Sequence, residues 1–271
     1  MTSPTAGPGA GPPAVELSGV DKAFSRGRAG EVRALTGIEL TVAAGEFVTL
    51  IGPSGCGKST LLRLVADLTE PTAGRVRVNG KTARQARLDQ DYGIAFQQAG
   101  LMDWRSVSRN IELPLELRGW DRRRRRQRAV ALLDLVGLPE FAGHQPSELS
   151  GGMQQRVAIA RALAAGPRLL LMDEPFGALD EMTRERLQAE LARICRETGA
   201  TVVFVTHSIP EAVYLSDRAV VMSARPGRVS TVVGVDLGVR TEDTREAPEF
   251  FAKVTEVREA LRGRSYVGEE R

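Results

Sequence analysis

The chain is poor in cysteine, histidine and lysine, and it has no long apolar run. Its 271 residues include two cysteines, Cys56 and Cys195, and two histidines, His144 and His207. Two cysteines cannot build a disulfide framework and fit a reducing cytosol. Neither stands in a zinc-ligand spacing, so a structural metal centre of Cys and His is not expected. No apolar run approaches the roughly 18 residues of a membrane-spanning helix, and the N-terminus lacks the apolar core of a secretion signal. Lysine is scarce: Lys22, Lys58, Lys81 and Lys253 are the only four among 37 basic residues. The arginine excess reads as a compositional habit, because the formal net charge is only +3, and nucleic acid is not expected as a partner. What remains is a globular composition, 42% hydrophobic and 26% charged, long enough for a sizeable core.

Residues 1–14 are dominated by Pro, Gly and Ala and are expected to be a disordered tail. From Val15 to about Leu50 the pattern is strand-like, with Ile38, Leu40 and Val42 alternating against Glu39 and Thr41. Asn79-Gly80 after Arg75–Val78 predicts a tight turn. Three apolar segments read as buried strands: Phe47 to Ile51, Leu169 to Met172, and Val202 to Val205. Helical patterns sit between or after them, including Arg184 to Thr198, stopped by Gly199. Such alternation argues for a mostly parallel α/β sheet. The stretch from about residue 100 to 164 carries no strand pattern and reads as a helical insertion.

Residues Gly52-Pro53-Ser54-Gly55-Cys56-Gly57-Lys58-Ser59 satisfy G-x-x-x-x-G-K-[ST]. They follow an apolar strand and lead into a helix that continues from Thr60, which is the context a phosphate-binding loop requires. Glycines let the backbone curl so that successive N–H groups point inward, and the helix N-terminus adds partial positive charge. Lys58 then reaches the β- and γ-phosphates, and the Ser59 hydroxyl ligates Mg²⁺. Cys56 fills a free position of the motif as a small residue. Leu169 to Met172 ends in Asp173-Glu174, two carboxylates at the strand edge where parallel sheets bind ligands. Asp173 is suited to hold Mg²⁺ and Glu174 to polarise an attacking water.

Leu149-Ser150-Gly151-Gly152-Met153-Gln154-Gln155-Arg156 lies a short distance before these carboxylates. Together with the phosphate loop it resembles the signature of ABC-type ATPases, the motor subunits of ATP-driven transporters, over about residues 15–230. The resemblance implies an α/β fold: a P-loop NTPase (RecA-like) core, an N-terminal antiparallel β subdomain and an inserted α-helical subdomain. It implies ATP and Mg²⁺ as cofactors. It also implies that Ser150, Gly151 and Gly152 close over the γ-phosphate of a partner subunit's ATP in a head-to-tail dimer. The family's usual Gln is Met153 here, so only the backbone donors of that position remain. Gln97 resembles the family's sensor of Mg²⁺ and attacking water, at the joint to the membrane partner. Asp180, in Ala178-Leu179-Asp180, resembles the loop that communicates across the dimer. His207 resembles the switch histidine at the γ-phosphate, and Phe24 the aromatic that stacks on adenine, with a core Phe as the competing reading.

Leu101-Met102-Asp103-Trp104-Arg105 and Met222–Arg228 resemble importers for nitrate, sulfonates and taurine, a group that also includes importers of pyrimidine precursors; Asp103 replaces their proline. The resemblance thus implies a peripheral subunit on the cytoplasmic face. Its partners would be a second copy or a paralogous ATPase, two membrane permease subunits and, indirectly, an extracytoplasmic solute-binding protein. A cytosolic ABC ATPase without a transport role remains the alternative. A GTPase would need an Asn-Lys-x-Asp reader, and Asn79 and Asn110 start none. Two segments stand outside these motifs. Arg122 to Arg126 reads as the solvated start of a helix whose apolar face is Ala129, Leu132, Leu133 and Val136. Residues 231–271 read as an extension whose Phe250, Phe251, Val254, Val257 and Leu261 form a short helix packed on the domain.

Overall fold

The structure is a computed structural model that describes residues 12–25 and 30–265. In chain order, β1 (Val15–Ser25) and β2 (Glu31–Val42) pair antiparallel, and β3 (Phe47–Ile51) leads into α1 (Lys58–Val65). β4 (Ala73–Val78), β5 (Lys81–Thr82), α2 (Ala83–Leu88) and β6 (Tyr92–Ala95) follow. Then come α3 (Val107–Leu117), α4 (Arg122–Leu135) and α5 (Gly151–Leu163), with no strand among them. β7 (Leu169–Asp173), α6 (Glu181–Thr198), β8 (Thr201–Val205), α7 (Ile209–Leu215), β9 (Arg218–Met222), β10 (Val229–Gly234) and α8 (Pro248–Ser265) complete the described chain.

Two sheets result. One is antiparallel, in the order β2-β1-β4-β5, and turns Leu17, Val20, Ile38, Leu40 and Val42 inward. The other runs β10-β9-β3-β8-β7-β6, parallel except for the β9–β10 edge pair. Every residue of β3, β7 and β8 is buried, as central parallel strands covered on both faces require. Because these strands are parallel and in register, with Leu50 and Asp173 both opposite Val205 and Ala95 opposite Met172, all their carboxyl ends open on one edge. That edge receives the loop after β3, Asp173-Glu174 at the end of β7, Thr206-His207 after β8, and Phe96-Gln97 after β6.

The inserted helices pack on one another through Val107, Ile111, Leu115, Ala129, Leu132, Leu133 and Val136, all buried. Asp121 caps α4 by accepting from the Arg124 amide at 3.0 Å, which offsets the poor placement of cations at a helix N-terminus. Arg122, Arg123, Arg124 and Arg126 are exposed. Arg125 turns inward to Glu112, 3.6 Å away, and Arg128 satisfies the last carbonyls of α5 at Leu163 and Ala164.

Three boundaries differ from the sequence reading. Residues 1–11 of the expected tail lie outside the described residues, but Ala14 is buried and its carbonyl accepts from the Asn79 amide, so Ala14 belongs to the fold. The division at residue 230 cuts through β10, whose Val233 joins the main core together with Val235. The final helix spans 18 residues rather than being short. Phe250, Val254 and Val257 are buried on it, while Phe251 points outward, 57% exposed. Steps of four and three residues stay on one helical face; a step of one turns about 100° away.

Candidate functional site

The loop after β3 curls because Gly55 (φ 73°) and Gly57 (φ 106°) take left-handed backbone that a side chain would strain. Lys58 opens α1 and is 6% exposed. Its Nζ donates to the Gly52 carbonyl at 2.8 Å and the Pro53 carbonyl at 3.1 Å, folding back over its own loop. The Ser59 hydroxyl donates to Asp173 Oδ1 at 2.8 Å. Burial raises the Asp173 pKa, and the neighbouring Glu174 adds to this; the Ser59 hydrogen bond, Arg63 and Lys58 oppose it. A buried carboxylate beside a hydroxyl is an oxygen set suited to a hard divalent cation.

Glu174 lies one residue beyond β7 in left-handed backbone, φ 46°, a conformation that costs a non-glycine residue on the order of 1–3 kcal/mol. Its amide is held by the Val205 carbonyl at 2.9 Å. Its Oε2 meets His207 Nδ1 at 3.1 Å and accepts from Gln97 Nε2 at 3.4 Å. Three residues from separate loops thus meet at one carboxylate oxygen.

A concavity of about 410 Å³ spans this edge, lined by Phe24, Val32 and Ala34 from the antiparallel sheet, by Ser54, Gly55 and Gly57 to Thr60, and by Gln97, Glu174 and Arg225. Phe24 is 43% exposed at its wall, with the Lys22 Nζ 4.8 Å from the ring centroid, so it is not a core residue. The Cys56 side chain is buried in the hydrophobic core, and Gly52, Pro53 and Cys56 do not line the concavity.

Ser150, Gly151, Gly152 and Asp180 are not in this concavity. Ser150 caps α5, accepting from the Met153 amide at 3.3 Å, and Asp180 caps α6, accepting from the Thr183 amide at 2.9 Å. Gly152 lies against the Ala178 carbonyl, where a Cβ would come within 3.1 Å. The two segments therefore pack together. Arg225 is the residue that motif reading missed. Its Nη2 and Nε donate to the Gly55 carbonyl at 3.1 and 3.2 Å. Its only sequence signal was its presence in the Met222–Arg228 stretch; its proximity follows from β9 lying beside β3.

A glycine-rich loop between a buried parallel strand and a helix, facing a carboxylate at the end of another strand, defines a P-loop NTPase. The model of the family described as ABC transporter matches residues 35–177. A nitrate import ATP-binding protein of Synechocystis is 42% identical over 92% of this chain and 96% of its own length. A taurine import ATP-binding protein of Rhizobium johnstonii is 46% identical over 85% and 88%. An uncharacterised ABC transporter ATP-binding protein of Methanocaldococcus jannaschii is 52% identical over 76% of each. Among solved structures, a dimeric ATP-binding cassette in a post-hydrolysis state with ADP and Pi superposes with TM-score 0.76 at 36% identity, covering 82% of this chain and 99% of that one. The chain belongs to the ABC transporter family and is an ATP-binding ATPase cassette of it.

Proposed function

We propose that this chain is the motor subunit of an importer, and that the concavity at the strand ends is where it hydrolyses ATP. The observation that carries the reading is the meeting of Gln97, Glu174 and His207 beside the Lys58–Ser59 loop. The loop amides of Ser54 to Ser59 and the α1 N-terminus receive the phosphates, and Lys58 exchanges its loop carbonyls for phosphate oxygens. Phe24 stacks on the base. Ser59, Asp173 and Gln97 would hold Mg²⁺, which when bound would supply positive charge against the phosphates. Glu174 orients the attacking water and accepts its proton. His207 contacts the Glu174 carboxylate through Nδ1 and reaches toward the γ-phosphate.

Ser150, Gly151 and Gly152 lie outside their own chain's concavity, which supports a head-to-tail dimer in which they cover the partner's nucleotide, with Asp180 at the joint. The dimeric relative with ADP and Pi supports the same reading. A groove of about 340 Å³ lined by Tyr92, Ile94, Phe96, Leu113, Pro114 and Leu117 suits an apolar helix of a permease subunit. Phe96 in that groove is the neighbour of Gln97, so docking and nucleotide state share one segment. Among the described residues no helix is long and apolar enough to cross a membrane, so separate subunits would supply the pore and hold this chain at the cytoplasmic face. An extracytoplasmic binding protein would deliver the solute. The import-type relatives support a small solute of the nitrate, sulfonate, taurine or pyrimidine-precursor class.

Glu174→Gln protein, captured with ATP and Mg²⁺ from detergent-solubilised source membranes, tests the reading. Co-purification of a polytopic membrane protein identified by mass spectrometry is expected. Recovery of soluble partners alone, from a fraction shown to contain the bait, would replace it with a cytosolic ABC ATPase.

A further inference from the structure

A buried polar cluster lies behind the site. Glu211, on α7 four residues past His207, has a side chain only 11% exposed. Thr206 Oγ1 donates to its Oε2 at 2.5 Å, Gln188 Nε2 donates to its Oε1 at 3.0 Å, and Arg184 Nε stands 3.9 Å from Oε1. Burial raises the Glu211 pKa against the pull of these donors and of His207. Gln188 and Thr206 are themselves 3% and 1% exposed. Buried polar groups are costly unless each finds a partner, and a satisfied network is correspondingly rigid.

The cluster reaches three segments. The Ser208 amide donates to Thr206 Oγ1 at 3.0 Å and the Glu211 amide to Ser208 Oγ at 3.4 Å, so the backbone on both sides of His207 is tied to Glu211. The His207 ring is 67% exposed, with Glu174 as its hydrogen-bond partner, and its direction therefore depends on that backbone. Arg184 also donates to the Leu179 carbonyl at 2.7 Å and the Phe176 carbonyl at 3.4 Å, holding the segment between Glu174 and Asp180. Arg245, beyond β10 in the turn Glu242–Glu246, donates to Gln188 Oε1 at 2.5 Å and stacks 3.5 Å over the Tyr214 ring. An amide whose oxygen is claimed by a guanidinium can offer only its NH₂ to Glu211. Without Arg245 the Gln188 oxygen loses its donor, and Glu211 alone is left to hold the amide in that orientation.

We propose that Glu211 is a positioning residue for ATP hydrolysis and that the C-terminal segment acts through it. The chain Arg245–Gln188–Glu211–Thr206 keeps the His207 ring on Glu174. This rests on the roles given to His207 and Glu174 above.

The test is single-turnover and steady-state ATP hydrolysis by the full chain carrying Arg245→Met, Arg245→Lys, Glu211→Gln or His207→Ala, and by the Arg245→Met/His207→Ala double variant. Arg245→Met should lower kcat by about three- to tenfold with KM for ATP within about twofold. Arg245→Lys keeps a donor for Gln188 and should recover at least about half of the loss. In the His207→Ala background Arg245→Met should cost nothing further. Glu211→Gln retains groups for both neighbours and should stay within about threefold of wild type. An equal loss in the His207→Ala background, KM rising in step with the fall in kcat, or a normal Arg245→Met beside an inactive His207→Ala would overturn the proposal alone. A His207→Ala protein with wild-type turnover would overturn the reading of the site, and this proposal with it. If Glu211→Gln does not fold, the Arg245 cycle still decides, because that side chain is only partly buried, 21% exposed.

Discussion

Gly227→Ala is the sharpest probe of how the loop after β9 is fixed to the phosphate loop. A Cβ at Gly227 would lie 1.9 Å from the Cys56 carbonyl oxygen and 3.2 Å from Leu35 Cδ2. Neither backbone can yield without cost. The Gly227 amide donates to the Ala34 carbonyl at 2.9 Å, and the Thr36 amide donates to the Gly227 carbonyl at 3.0 Å. Relieving the overlap means moving one segment by about an ångström, which strains or breaks both bonds. At about 1 kcal/mol net for each bond, plus about 1–3 kcal/mol for overpacking, the loss is about 3 kcal/mol or somewhat more. For a chain of this size each kcal/mol shifts Tm by roughly 2–4 °C, so a fall of roughly 6–12 °C is expected. Because the displaced carbonyl belongs to the nucleotide loop, KM for ATP should also rise about tenfold, on the order of 1.4 kcal/mol. Gly234→Ala is the matched control, since nothing stands within 4 Å of its Cβ position. Scanning calorimetry and ATPase titration of both variants decide the matter. A Gly227→Ala protein with wild-type Tm and KM would refute the argument from close approach.

Arg225→Ala removes the cation that holds the Gly55 carbonyl at the concavity wall and should raise KM for ATP by about three- to tenfold, with kcat changed less; an unchanged KM would remove Arg225 from the site. Leu117→Glu, at a residue 67% exposed in the apolar groove, should leave ATP hydrolysis of the isolated chain intact and abolish co-purification with a permease; retained co-purification would count against that groove. Burial pushes the Cys195 thiol up to about 12 from its ordinary 9.0. Stability tied to that thiol is therefore intact below pH 9.0 and lost as pH climbs from 9.0 towards 12, where the unfolded chain sheds the proton first. At pH 8 its thiolate should be about a thousandfold scarcer than that of a free thiol, and peptide mapping after alkylation of the native protein should find Cys195 unmodified; rapid labelling would contradict this.

The strand–loop–helix around Lys58, the apolar run ending in Asp173-Glu174, and the glycine-rich start of α5 were legible from residues 52–60, 169–174 and 149–156 because each is local. A curled loop needs glycine at particular steps, a doubly covered strand needs an unbroken apolar run, and a helix start needs its cap. Gln97 and His207 were legible through resemblance, since a lone Gln or His carries no local signature. The ends of segments were less legible. Ala14 joins the fold through Asn79, far along the chain, and β10 joins the core through its pairing with β9 and the burial of Val233.

Thus the sequence by itself determined which segments become buried strands, where the phosphate loop lies and which carboxylates follow, because backbone preference and hydrophobic burial are written in runs of a few residues. Only the tertiary structure decided that Arg225 reaches Gly55, that Gln97 and His207 meet on one oxygen of Glu174, and that Arg245 is tied through Gln188 to Glu211. Those meetings depend on strand order and register, which join residues up to 170 positions apart. Each is a matter of ångströms in space that no local spacing encodes.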